Sequence, residues 1–256
     1  MEVAMVEIKL ASRGNLRDLY TGCLKEDIKY QQAFNKTAEL FFKKEKKGWT
    51  GLVAYDEGKP VGRAEFYPLE ESFAGISGDN LYFMPCIFVQ KPLQKKGYGR
   101  KLMEELLKAT SDRKGVVTYT VEGWMPKEFF EKMGFVVASR MGPVNMLLYK
   151  HQEDAKAKWL KPKFTPNNKP NKINLDVVWS HACPFMIVNY DQIINTAKKV
   201  SPSVEVTEYL IRERKDLEKY GEMNVFVDGE SPFIGPASDE EVEKVIKEHM
   251  AKKGLQ

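Results

Sequence analysis

The sequence predicts a two-part protein of mixed α/β (α+β) class. Three observations carry that expectation. First, β-like runs alternate with amphipathic helical patterns along the whole of its 256 residues. Second, the charge is unevenly divided. Residues 1–150 hold 24 basic and 19 acidic side chains, residues 151–172 hold 6 and 2, and residues 173–256 hold 10 and 15. Net charges of +5, +4 and −5 fit two domains joined by a basic connector. Third, residues 86–105 (CIFVQKPLQKKGYGRKLMEE) pass from a β-forming run through a glycine-flanked basic turn into a helix pattern.

Residues 2–10 alternate as a strand. Asn15 is placed to cap a short helix to residue 24, and residues 30–47 read as an amphipathic helix stopped by Gly48. Residues 49–55 and 61–67 form a hairpin around DEGKP, and residues 81–89, nearly continuous in apolar side chains, read as a central strand. A helix over 100–110, a strand over 116–121 and a helix from Pro126 to Met133, ended by Gly134, follow, then a second hairpin over 135–139 and 144–149. Residues 151–172 carry Pro162, Pro166 and Pro170 among Asn and Lys, a composition that favours extended backbone. They are expected to be a linker, packed through Trp159 and Phe164. Beyond it, strands at 175–179, 204–211 and 224–228 alternate with helices at 185–199, 213–220 and 239–250, the last capped by Ser238. The expected domains are therefore 1–150 and 173–256.

Composition narrows the function classes. The apolar content of 43% and charged content of 30% suit a soluble globular protein, and no window approaches the ~18 apolar residues of a membrane span. The modest basic excess argues against a nucleic-acid partner. Cys23, Cys86 and Cys183 lie far apart and make no CxxC pair, so neither a disulfide framework nor a metal site is expected, and a cytoplasmic location is.

The junction lacks the Ser or Thr that follows GxxxxGK in a Walker loop, and it lacks the third glycine of a dinucleotide fingerprint. What it has is Gln94-x-x-Gly97-x-Gly99. Such glycines let successive N–H groups curl around one anion, the helix start adds its positive end, and Lys95, Lys96, Arg100 and Lys101 add charge. A pyrophosphate suits this arrangement; a surface turn with solvated lysines is the plainer alternative.

That turn, the order of elements and residues 129–135 (FFEKMGF) together resemble the GCN5-related N-acetyltransferase (GNAT) family over about residues 2–150. The resemblance implies a GNAT acyltransferase fold with a mixed central sheet, acetyl-CoA as co-substrate and no metal. It places the pyrophosphate on the backbone of Gln94, Lys95, Lys96, Gly97, Tyr98, Gly99 and Arg100. Pantetheine would lie between strands 81–89 and 116–121, with the thioester held near Ile87, Phe88 and Val89. Acetyl would pass directly to an amine, which needs a proton acceptor, an oxyanion donor near Phe88 and an acid for the leaving thiolate. The chain departs from the family pattern where a Tyr acid is common, with Phe130, and where an Asn is common, with Gly123. Tyr119 is the replacement candidate for the acid, against a plain half-buried strand tyrosine, and Glu65 or Glu122 for the base, against the plainer reading of each as an ordinary surface carboxylate. Cys86 is expected to pack in the core.

Residues 173–256 resemble a thioredoxin/glutaredoxin-like fold, and the whole chain resembles GNAT proteins with a YoaP-like C-terminal domain. Cys183 then sits at the attacking-thiol position, at a helix start that favours thiolate. Met186 replaces the second cysteine and Met223 the usual proline, so only monothiol chemistry is open, beside the plainer alternative of an inert thiol in a domain kept for substrate binding or packing. The expected function is acetyl-CoA-dependent N-acetylation of a small-molecule or peptide amine. Two alternatives stand beside it: a non-catalytic acyl-CoA sensor, and a monothiol redox protein acting through Cys183. Neither a membrane nor a nucleic acid is expected as partner, whereas contact between the two domains is.

Overall fold

The structure is a computed structural model and describes residues 6–121 and 124–255. Contacts divide the chain into two compact units, Met1–Leu24 with Ala38–Leu160, and Lys25–Thr37 with Lys161–Gln256.

The first unit is built on a mixed seven-stranded sheet of order β1-β2-β3-β5-β6-β8-β7. Its strands are β1 (Glu7–Leu10), β2 (Thr50–Asp56), β3 (Lys59–Pro68), β5 (Leu81–Val89), β6 (Gly115–Thr120), β7 (Val136–Met141) and β8 (Val144–Lys150). The β2–β3 turn uses positive φ at Glu57 and Gly58, as the twist of a two-residue hairpin loop requires. Every pairing is antiparallel except β5 with β6. The helices are α1 (Leu16–Leu19), α2 (Ile28–Glu45), α3 (Tyr98–Ala109) and α4 (Lys127–Lys132), and the first thirteen residues of the second unit, 25–37, include the start of α2.

One face of the sheet presents Leu52, Ala64, Phe66, Met84, Ile87, Val89, Val116 and Leu147 to Tyr98, Leu102, Leu106, Phe130 and Phe135, which form the core of this unit. Alternation along each strand puts Arg63, Glu65, Tyr67, Cys86 and Phe88 on the other face. A short pair of strands, β4 (Ile76–Gly78) and β9 (Ala157–Trp159), makes a separate two-stranded sheet.

The second unit has the expected alternation of strand and helix: β10 (Ile173–Ser180), α5 (Pro184–Val200), β11 (Val204–Ile211), α6 (Arg214–Tyr220), β12 (Asn224–Val227) and α7 (Asp239–Lys253). β10 is central, parallel to β11 and antiparallel to β12. Leu175, Val177, Ile193, Ala197, Val225, Val242 and Ile246 fill its core.

Several local expectations need correction. Asn15 precedes α1 but does not cap it; its Oδ1 accepts from the Ser12 N–H at 2.6 Å instead, and the predicted helix breaks into α1 and a 3₁₀ turn at Thr21–Cys23. The predicted strand over 2–10 is observed from Glu7, and its first residues lie outside the described ones. The stretch predicted as extended linker holds β9. Further on, Phe164 packs against Tyr209, Tyr220 and Phe226, and Asn167 Nδ2 donates to Asp176 at 2.7 Å.

Candidate functional site

The site begins with a defect in β5. Glu65 on β3 faces Cys86, but Tyr67, two residues on, faces Phe83, so β5 carries one extra residue around Met84 and Pro85. Such a bulge bends and twists the strand that bears it. Pairing with β6 runs only from Leu81↔Gly115 to Met84↔Thr118. Beyond that rung, among the described residues, the β6-facing edge of β5 has no ladder partner, and the strands part. Thr118 Oγ1 closes the last rung by donating to the Met84 carbonyl at 2.7 Å. Thr120 lies two residues further along the same face of β6. It is 2% exposed, and its hydroxyl has no hydrogen-bond partner among the described residues.

A cleft of about 670 Å³ opens at this parting. Ile87, Phe88 and Val89 line it from β5, Gln94, Lys95, Gly97, Tyr98, Gly99 and Arg100 from the glycine turn and α3, and Trp124 to Pro126 with Phe129 and Phe130 from the α4 side. Lys95 and Gly97 both have positive φ, and Gly97 is the N-cap of α3 with no side-chain cap. No backbone carbonyl among the described residues receives the N–H groups of residues 95–100. Those of residues 97–100 are the orphan donors that any helix start leaves behind, and those of 95 and 96 belong to the turn before it. Gln94 Nε2 ties the turn back to the Val89 carbonyl at 3.0 Å, and Tyr98 Oη donates to Asp56 at 2.6 Å. A Cβ on Gly97 would meet nothing within 4 Å, so a side chain there would project into open space along the cleft wall. Lys96, the remaining sequence candidate in the turn, is exposed beside it.

The opposite face of the same strands carries a buried polar cluster. Glu65, 3% exposed, accepts from Tyr20 Oη at 3.0 Å, from Tyr67 Oη and from Arg63 Nη1. Arg63 Nη2 reaches Cys23 Sγ at 3.0 Å and Cys86 Sγ at 3.3 Å, and its guanidinium lies over the Tyr20 ring. Burial, reinforced by the Glu65 charge, pushes the Tyr67 phenol well above its ordinary value, which keeps it protonated as a donor. Burial pushes the Cys86 thiol up to about 12 against the pull of Arg63. The 3₁₀ turn at Thr21–Cys23 presses close here: a Cβ on Gly22 would fall 2.4 Å from the Phe88 ring. Phe88 in turn stacks on Trp124, 6.1 Å between centroids, and Trp124 is 51% exposed.

The candidates are therefore spread over distinct places. Ile87 to Val89 and six of the seven turn residues meet in the cleft. Glu65 is no surface carboxylate; it is enclosed behind the bulge. Tyr119 lies on the face of β6 away from α4, half-buried, with its ring stacked on Trp159 at 5.6 Å and edge-on to Phe83. Glu122 and Gly123 lie outside the described residues. Phe130 is fully buried in the core. Cys183, half-buried, is the N-cap of α5 in the second unit, with Pro184 as the first helical residue. Sequence reasoning missed the Arg63–Glu65–Tyr20–Tyr67 cluster and the Trp124–Phe88 pair. The only available signal was the alternation of Arg63, Glu65 and Tyr67 on one strand face. Among the described residues there is no group of side chains that could hold a metal ion, and no helix is long and apolar enough to cross a membrane.

Residues 47–137 match the family model described as an acetyltransferase (GNAT) domain, so this part of the chain carries a GNAT acetyltransferase domain. No curated protein matches the chain. Among solved structures, the chain is similar to a PaiA N-acetyltransferase from Thermoplasma acidophilum in complex with coenzyme A, at 16% identity, 57% coverage of this chain, 98% of that one and a TM-score of 0.44. It is also similar to the GNAT family N-acetyltransferase YhbS from Escherichia coli in complex with CoA, at 16% identity, 60% and 89% coverage and a TM-score of 0.43. A third similar structure is a GNAT family acetyltransferase from Brucella melitensis in complex with acetyl-CoA, at 16% identity, 60% and 96% coverage and a TM-score of 0.39.

Proposed function

We propose that the first unit is an acetyl-CoA-dependent N-acetyltransferase acting on an amine. The observation that carries this reading is the run of N–H groups at residues 95–100, without backbone acceptors, at the wall of the cleft where β5 and β6 part. A helix start ringed by Lys95, Lys96, Arg100 and Lys101 suits a diphosphate. The cleft continues from it to Ile87–Val89, where β5 has unpaired edge backbone to offer an acyl thioester. The buried hydroxyl of Thr120 fits the same ligand, because a pantetheine arm between the strands would bring it an amide partner. Acetyl-CoA would supply the activated acetyl group, and the protein's own groups would orient it and move the proton. Glu65 is the enclosed carboxylate nearest the bulge, paired opposite Cys86, and the Tyr20 and Tyr67 hydroxyls are bonded to it. A proton leaving the amine is taken up through this network.

A fully buried Phe130 where the resembling family often has its Tyr acid favours a second reading, an acyl-CoA sensor without turnover. For the second unit, the strand order β11-β10-β12 and Cys183 at the start of α5 support a thioredoxin-like, YoaP-like module with monothiol character. Calorimetric titration with CoA, followed by thiol release from acetyl-CoA with a pool of primary amines, tests the proposal. Binding with release is expected. Binding without release would select the sensor, and no binding would remove both.

A further inference from the structure

The Arg63 guanidinium holds two thiols at one nitrogen: Nη2 lies 3.0 Å from Cys23 Sγ and 3.3 Å from Cys86 Sγ. The residues are far apart in sequence, yet their sulfurs sit at most two hydrogen-bond lengths from each other. Their surroundings are unequal. Cys23 is half-buried on a three-residue 3₁₀ turn, whereas Cys86 is buried in the bulged strand β5. A partly exposed sulfur next to a guanidinium is the setting in which a thiol reacts as thiolate. A second thiol within reach is what lets the product resolve to a disulfide.

We propose that Cys23 and Cys86 are a peroxide-oxidised thiol pair, with Cys23 attacking and Cys86 resolving. The Cys23 thiolate sulfur attacks one oxygen of a hydroperoxide; the O–O bond breaks, the other oxygen leaves as hydroxide and takes up a proton, and Cys23 becomes a sulfenic acid. The Cys86 sulfur then displaces hydroxide from the Cys23 sulfur, and its own proton leaves with that hydroxide as water. Two thiols lose two electrons in all, and one hydrogen peroxide becomes two waters. The bond would fix the Thr21–Cys23 turn to β5 beside Phe88. It would also take from Arg63 both sulfur contacts, leaving Glu65 as its carboxylate partner. The inference rests on the buried cluster alone and stands whether or not the cleft binds coenzyme A.

The test uses the full chain. The protein is treated with hydrogen peroxide, quenched in acid, alkylated under denaturing conditions and digested without reductant. Loss of two of the three thiols together, one Cys23–Cys86 linked peptide and an alkylated Cys183 are expected. In Cys86→Ser, Cys23 should be trapped as sulfenic or sulfinic acid; in Cys23→Ser, Cys86 should remain a thiol at the same dose. Folding of both variants is checked by circular dichroism, and the wild-type map decides alone if either fails. A wild-type map with Cys23 overoxidised beside an intact Cys86, a linkage through Cys183, or three untouched thiols would each overturn the proposal.

Discussion

The starts of α3 and α7 solve the same problem in opposite ways. Both leave unbonded N–H groups and a partial positive charge. At α7 the chain closes the account internally: Ser238 accepts from the Glu241 N–H at 3.3 Å, and Glu241 accepts from the Ser238 N–H at 2.7 Å, a reciprocal capping box. At α3 the N-cap is Gly97, which has no side chain to offer, and the flanking charges are Lys95, Lys96, Arg100 and Lys101. A helix start completed by its own side chains is structural. One left open on a cleft, with cations around it, is set up to receive an anion from outside. The start of α5 is also without a side-chain cap, but its N-cap is Cys183, so what stands there is a thiol.

The contrast breaks most visibly at Gly97. Gly97→Asp installs a carboxylate at the open helix start, in a backbone conformation that L residues rarely adopt. CoA affinity should fall about hundredfold, equivalent to about 2.8 kcal/mol, in calorimetry of the folded variant. Gly97→Ala, which carries the backbone strain without the charge, should lose less. Equal losses would assign the effect to strain and not to the anion. Thr120→Val sharpens the picture with opposite signs in one variant. The ligand-free protein should gain on the order of 1 kcal/mol in denaturant unfolding, because a buried hydroxyl without a partner is removed. CoA binding should weaken about tenfold, or about 1.4 kcal/mol. A variant with unchanged affinity would remove Thr120 from the site.

Ser238→Ala tests the closed end. It should cost about 1 kcal/mol of stability in the second unit and leave CoA affinity as it was. The smallest effect is the pH response of the same cap. The bond from the Ser238 N–H holds the Glu241 carboxyl below its ordinary value of 4.5. A depressed folded-state value means the stabilisation is complete above the unfolded value and fades as pH falls through the folded one. Fraying of α7, followed by amide NMR, should therefore set in below about pH 4.5, and Glu241→Gln should abolish that pH dependence.

Much of this contrast was readable from residue order. Ser238 followed three residues later by Glu241, before an apolar period, is a local signature, and so are the two glycines of the turn after a strand. What could not be read depends on partners distant in the chain. Asn15 has the right type for a cap, but Ser12 and the Leu10 carbonyl claim its amide first. β9 pairs with β4 some eighty residues earlier, and a three-residue strand has no periodicity to reveal it. Glu65 looked like an exposed carboxylate because Tyr20, which joins Arg63 and Tyr67 around it, arrives only once α1 packs over β3. The parting of β5 from β6 was equally hidden, since the extra residue in β5 shows only as a slipped register against β3.

The short parallel pairing of β5 with β6 has a mechanical consequence. Among the described residues it is the one strand pairing between the block β1-β2-β3-β5 and the block β6-β8-β7, and it holds four register pairs. α3 rides on the first block, against β2, β3 and β5, while Phe130 of α4 packs through Phe135 toward Tyr149 of the second. The walls of the cleft thus rest on separate halves of the sheet, joined by that short seam and by the shared core beneath it. Any molecule lodged there spans both halves, so its grip should register as slowed deuterium uptake along β5 and β6 together.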